Sequence, residues 1–238
     1  MGLDWGLIVR SLPALGQGAV TTLTLTVISI SLGLVLGTVI GLMRLARIWM
    51  VGAVASAYVW FFRGTPLLIQ LFLIYYAMPP LLGITLDRWQ AGIIALSLNS
   101  AAYIAEIVRA GIQSIDVGQT EAAQALGLTK FQTAWFIILP QAFRRIIPPL
   151  GNEFILLLKD SSLVSVIALE ELLRAGQLIV TRTFKPVEIY ALIAIIYLIM
   201  TSAISVLVTF TERWLRVETR GDQRRTRGAR GVARAGAP

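Results

Sequence analysis

Few residues in this chain are equipped for chemistry, and most of those stand in apolar surroundings. Glu153 and Asp160 are seven residues apart. On a helix of 3.6 residues per turn they share a face, ~10.5 Å apart along the axis. Two carboxylates so placed suit a cationic side chain or an α-ammonium group; an internal ion-pair network, with Lys159 neutralising one of them, is the competing reading. Ser161 follows Asp160 directly. Asn99, Tyr103 and Glu106 recur at i, i+4 and i+7 and form one polar stripe, with Arg109 three residues beyond Glu106 as its ion-pair partner. Arg63-Gly64-Thr65-Pro66 interrupts an apolar run. Residues before proline avoid the helical region, threonine caps helix starts, and proline suits a first helical position. A half-helix starting at Thr65 would offer unpaired N–H groups and a positive end to a carboxylate. Arg63 and Gln70 would add polar contacts, unless Arg63 snorkels to the inner interface. Cysteine and histidine are absent. That excludes thiolate chemistry and removes the usual zinc ligand and the usual general base. No Gly-x-x-x-x-Gly-Lys-Ser/Thr loop is present to cradle ATP phosphates, so energy must come from a partner or an ion gradient.

The elements that carry these residues are membrane spans. Of 238 residues, 56% are apolar and 14% charged, with a mean hydropathy of +0.76. A soluble domain carries roughly 25% charged residues, and disorder requires low hydrophobicity. A bilayer core needs about 20 apolar helical residues. Five segments qualify: 19–43, 53–78 with its internal break, 89–115, 146–169 and 189–210. The fourth is the weakest, because Glu153, Lys159 and Asp160 lie in it and Pro148, Pro149 and Gly151 precede Glu153. Interrupted apolar segments point to transport sites. Residues 3–12, with Trp5 and Arg10, read as a short interfacial helix. Gly33, Gly37 and Gly41 form a small-xxx-small stripe for close helix crossing, within the chain or with a second copy. Fourteen Lys and Arg fall on one side of the membrane and five on the other, which puts the N-terminus outside and the C-terminus in the cytoplasm. Residues 216–238 form a basic tail, expected to be disordered beyond about Thr219. It reads as a solvated topological anchor or an anionic-lipid contact. Nucleic-acid binding is not expected, since no aromatic platform accompanies the arginines.

The loop 116–145 is patterned rather than random. Asp116 can cap a helix that Gly127 ends. Thr129 can cap a second, running from Lys130 to Leu139, which Pro140 is expected to terminate. Glu121-Ala122-Ala123, three residues, Gly127, nine residues, then Ile137-Ile138-Leu139-Pro140 resembles the EAA loop of ABC-importer permeases. At average composition such a match arises by chance about 10⁻⁷ to 10⁻⁸ times per starting position. Residues 62–70, the Asn99-Ser100-Ala101-Ala102-Tyr103 segment with Glu106 and Arg109, and Lys159-Asp160-Ser161-Ser162-Leu163 look like the polar amino-acid branch of that family.

The resemblance implies an all-α permease of the type I importer fold, one transmembrane domain over 1–215, in a bacterial or archaeal cytoplasmic membrane. It implies a second permease subunit (the same chain or a homologue), two ATPase subunits and an extracytoplasmic binding protein. ATP and Mg would be bound by the ATPase, and this chain would hold no cofactor or metal and catalyse no reaction. Glu121, Ala122, Ala123, Gly127, Leu139 and Pro140 would couple to the ATPase. Candidate substrate residues are Glu153, Asp160, Ser161, Asn99, Tyr103, Thr65, Arg63 and Gln70. Two carboxylates against one Lys159 favour basic amino acids as the cargo. A gradient-driven carrier or channel subunit, using Glu153 and Asp160 as an ion relay, is the alternative.

Overall fold

The computed structural model describes residues 4–215, and every regular element among them is helical. The expected tail disorder lies outside the described residues. Helix α1 (Trp5–Met43) is followed by α2 (Trp49–Gly64), α3 (Leu67–Phe72), a π-helical turn over Leu73–Ala77, and α4 (Met78–Leu82). Next come α5 (Arg88–Gln113), α6 (Val117–Ala125), α7 (Lys130–Gln132), a second π-helical turn over Thr133–Ile138, and α8 (Leu139–Asp160). A 3₁₀ stretch over Ser161–Ile167 leads to α9 (Leu172–Thr183) and α10 (Pro186–Leu215).

Among the described residues, α1, α5 and α10 are long and apolar enough to cross a membrane. The segment formed by α2 and 67–82, bent by 105° at its break, makes a fourth if taken as one broken span. The fourth expected span falls on α8, whose 22 residues reach far enough but carry Arg144, Arg145, Glu153, Lys159 and Asp160. The expected interfacial helix is not separate. Asp4 caps α1 by accepting from the Leu7 N–H at 2.9 Å, and the helix runs through Pro13 into the first span without a break.

Helix α5 is the central element, with two thirds of its most apolar stretch buried, whereas only 11% of the corresponding stretch of α10 is covered. Lipid chains are as apolar as leucine, so close approach rather than water exclusion must hold α1 to α5. The glycine stripe provides that approach within the chain. A Cβ on Gly37 would stand 2.6 Å from the Ala101 carbonyl oxygen and 2.8 Å from Ile104 Cβ. One on Gly41 would stand 2.8 Å from the Ala105 carbonyl oxygen, and Gly33 packs on Ser100. Leu25, Leu71, Leu96, Leu157 and Leu169 close a core around α5, and Leu15, Leu158, Leu172 and Ile189 close a second.

Toward the end of the bundle that carries α9, the buried Glu171 knots three helices together. Its carboxylate caps α9 by accepting from the N–H groups of Leu173 at 2.9 Å and Arg174 at 2.8 Å. It also accepts from Tyr197 of α10 at 3.0 Å and Thr22 of α1 at 3.4 Å. Four donors compensate a carboxylate with no exposed surface.

One proline expectation fails. Pro140 does not terminate a helix: the chain stays helical from Lys130 to Asp160. A proline ring clashes with the carbonyl four residues back in a regular helix. Here the π-helical turn precedes it, and the Leu139 N–H reaches back five residues to Ala134. The wider turn moves the obstructing carbonyl aside and leaves the missing N–H without a required partner. Pro79 and Pro80 follow the first π-helical turn identically, with the Met78 N–H bonded to Leu73. Pro148 and Pro149 likewise lie inside α8 without ending it.

Candidate functional site

The break between α2 and α3 is built from side-chain hydrogen bonds. Thr65 does not open the following helix as expected; it ends α2, and its hydroxyl donates back to the Phe61 carbonyl at 2.8 Å. Pro66, in an extended conformation, is the cap residue, and α3 starts at Leu67. Gln70, nearly fully buried, turns its amide N–H₂ onto the carbonyls that α2 leaves open. It donates to Phe62 at 2.8 Å, to the Thr65 carbonyl at 3.0 Å and to the Thr65 hydroxyl at 2.9 Å. Its carbonyl oxygen accepts from Asn99 of α5 at 2.9 Å. The chain ends of an interrupted helix must find partners inside the protein when no water is available, and Gln70 and Asn99 supply them. Their polar atoms are therefore committed to the break.

One helical turn past Asn99, Tyr103 faces a different environment. Arg63, the penultimate residue of α2, stands over its ring at 5.3 Å. The next turn of α5 brings Glu106, the centre of a cluster of three guanidinium groups. Arg109 pairs with it from one turn on, as the i, i+3 spacing implies, and Arg44 pairs with it from the end of α1. Arg44 is also braced by the Ser56 hydroxyl of α2 at 3.3 Å. Arg63 is the third and most distant, at 3.8 Å. Tyr58 adds a further tie between α2 and α5, donating to the Leu98 carbonyl at 2.6 Å. Nothing in the sequence relates Arg44 to Glu106, which lie sixty-two positions apart.

Arg63, Tyr103 and Glu106 line one wall of a cleft of about 500 Å³, and Glu153 and Pro149 of α8 line another. Ser114 and Arg145 also border it, and Arg145 donates to the Ser114 carbonyl. Glu153 is only 6% exposed. Of the expected substrate residues, the cleft thus gathers Arg63, Tyr103 and Glu153. Asp160 lies two turns away, exposed at the end of α8 beside the equally exposed Lys159. Ser161 is buried and donates to the Leu158 carbonyl at 2.7 Å, which ends α8. Thr65, Gln70 and Asn99 form the break behind Arg63.

The loop after α5 has the expected helical form at its start. The Asp116 carboxylate accepts from the Gly118 N–H at 2.7 Å and caps α6. Gly127 adopts the left-handed conformation at φ +83°, and the N–H of Leu128 bonds back to Ala123 at 3.1 Å. Those are the marks of a glycine-ended helix. Thr129 and Gln132 form a reciprocal capping box at the start of α7. Glu121 and Ala122 are exposed, Ala123 is buried, and Gly127, Leu139 and Pro140 are exposed. Around them Leu126, Phe131, Trp135 and Phe136 lie largely uncovered. Exposed apolar side chains gathered in this way mark a protein–protein or membrane contact.

Residues 29–217 match the family model described as "Binding-protein-dependent transport system inner membrane component". The chain belongs to this family. It is 39% identical over 218 residues to the glutamine transport system permease protein GlnP of Escherichia coli strain K12, covering 91% of this chain and all of that one. It is 38% identical over 220 residues to the arginine transport system permease protein ArtQ of Bacillus subtilis strain 168, covering 91% and 99%. A crystal structure of an amino acid ABC transporter with histidines superposes with a TM-score of 0.85 at 43% identity, covering 90% of this chain and 99% of that one. The protein is thus a multi-pass inner-membrane permease component, not an enzyme, and its family works with ATPase and binding-protein partners. The family assignment read from the EAA loop agrees with this result.

Proposed function

We propose that this permease crosses the membrane five times, N-terminus outside and C-terminus in the cytoplasm, and moves basic amino acids inward. The binding protein delivers the cargo, and two ATPase subunits drive a pair of permease subunits. The single transmembrane domain ends near residue 215, and 116–145 is its ATPase-coupling loop. Glu121, Ala122, Ala123 and Gly127 form the docking helix and its end, and Leu139 and Pro140 open α8 behind it. The names of its relatives, which span glutamine, arginine and histidine, support an amino-acid cargo.

The observation that carries the substrate reading is Glu153. It is a buried carboxylate on a cleft wall, and no ion pair joins it to another described residue. A membrane-embedded carboxylate without a resident counter-charge is costly, so it is suited to a cation that comes and goes. Asp160, two turns along the same helix, extends the acidic track, and Tyr103 offers a ring face to the same cation. Equilibrium binding to the intact complex in nanodiscs tests this. Arginine, lysine and histidine should outcompete glutamine and glutamate, and Glu153→Gln should remove the preference. Preference for glutamate or glutamine would overturn it.

A further inference from the structure

The cleft that holds Glu153 already contains a cation of the chain's own. Arg63 borders it, at the last turn of α2 and next to Gly64, around which there is open space. Of the three guanidinium groups near Glu106, Arg44 and Arg109 hydrogen-bond to the carboxylate, whereas Arg63 stands 3.8 Å away and makes no hydrogen bond to it. One carboxylate cannot neutralise three guanidiniums, and three of its roughly four acceptor sites are taken by the two closer ones. Among the described residues Arg63 is held besides only by the face of Tyr103, and its side chain is 42% exposed against 17% for Arg44 and 27% for Arg109. A surplus cation and a carboxylate without an ion-pair partner therefore line one cleft.

We propose that Arg63 is a tethered counter-cation for Glu153: it swings from Glu106 toward Glu153 when the cleft is empty and gives way to a cationic substrate. The inference rests on the reading of Glu153 as the cation-recognising group. It adds that the permease sets its own affinity, because a basic substrate must displace Arg63. A neutral amino acid has no side-chain charge to replace it with and gains nothing by entering.

Binding of radiolabelled arginine and glutamine to the purified permease–ATPase complex in nanodiscs tests this, with the wild type, Arg63→Gln, Arg63→Lys, Glu153→Gln and the double variant. Recovery of the ATPase subunit with each variant checks assembly. Arg63→Gln should tighten arginine binding about three- to tenfold, the factor expected if Arg63 occupies Glu153 in roughly 70–90% of empty molecules. Arg63→Lys should stay near wild type, and glutamine binding should not respond. In the Glu153→Gln background the gain from Arg63→Gln should vanish. A merely structural role for Arg63 predicts no tightening in any variant. If Glu153→Gln weakens arginine binding but Arg63→Gln fails to tighten it, or tightens it equally without Glu153, the tether is wrong and the substrate reading stands. If Glu153→Gln leaves arginine binding unchanged, both fall.

Discussion

Replacing Gln70 by leucine tests whether the break in the second span is held by one side chain. Leucine keeps most of the volume and removes every polar contact. Gln70 donates to the Phe62 carbonyl, the Thr65 carbonyl and the Thr65 hydroxyl, and accepts from Asn99. The Thr65 hydroxyl retains its bond to Phe61, so its loss is small. Two main-chain carbonyls and the Asn99 amide are left without their Gln70 partner. A buried polar group stripped of its partner costs about 1–3 kcal/mol. Polar contacts between membrane helices are worth less, about 0.6 kcal/mol on average. Three groups between those bounds give about 2–4 kcal/mol for Gln70→Leu, well above the roughly 1 kcal/mol centre of single substitutions.

The decisive measurement is a double-mutant cycle with Asn99→Leu, read by thermal unfolding of the detergent-solubilised complex. Each substitution alone orphans the other's amide; together they remove both. The double variant should be more stable than the sum of the singles by about 1 kcal/mol, within the range seen for groups in one hydrogen-bond network. At about 2–4 °C per kcal/mol for a chain of this size, Gln70→Leu should lower the midpoint by about 4–16 °C. Additive singles, each below about 0.5 kcal/mol, would show that the break does not depend on this pair.

Other substitutions test separate links. Gly37→Ala drives a Cβ to 2.6 Å from the Ala101 carbonyl oxygen, where backbone must yield, whereas a Cβ at Gly16 meets nothing within 4 Å. The first should destabilise by about 1–3 kcal/mol and the second by nothing measurable in the same thermal scan. Gly127→Ala places an L-residue at φ +83°, a strain of about 1–2 kcal/mol, and should reduce ATPase recovery in pull-down. Glu106→Gln leaves three guanidinium groups around a neutral amide. Removing one partner of a buried ion pair costs about 3–5 kcal/mol, less here because the cluster is partly exposed, and expression of folded complex should fall more than with Glu106→Asp.

How much of this was legible in advance depended on how local the cause was. The caps at Asp116 and Thr129 and the left-handed Gly127 are set by neighbours within a turn, and spacing alone places them. The Glu106–Arg109 pair is readable for the same reason. Arg44 joins Glu106 only because α1 and α5 lie alongside each other, and no local pattern carries that fact. Glu171 is a stronger case. It reads as one more charge outside the spans, yet it is fully buried, because Thr22 and Tyr197 converge on it from helices far apart in sequence. Thr65 misled in a specific way. Its type suits a cap on either side of a break, and the choice between ending α2 and starting α3 fell to Gln70, which needs its hydroxyl as an acceptor.

The failure of the proline rule at Pro140 bears directly on mechanism. Were Pro140 a terminator, the 116–145 loop would join α8 through a flexible corner. Instead the π-helical turn carries the helix past it, and the path from Lys130 to Asp160 is continuous, about 46 Å at 1.5 Å per residue. Two side chains fix the loop to this rod near its base: Gln141 donates to Gln119 of α6 at 3.3 Å, and Arg145 donates to the Ser114 carbonyl just before α6. Glu153 lies on the same rod, eight residues beyond Arg145 and ~12 Å along the axis. At the other end of the bundle α1 is pinned to Glu171, it is packed along α5 by the glycine stripe, and its final turn is held to Glu106. The cleft therefore has one wall belonging to a doubly anchored pair of helices and another belonging to a continuous helix tied to the 116–145 loop. Displacement of the loop would reach Glu153 along this helix and Tyr103 along α5, which ends three residues before α6, and the Arg145–Ser114 bond ties the bases of the two walls together.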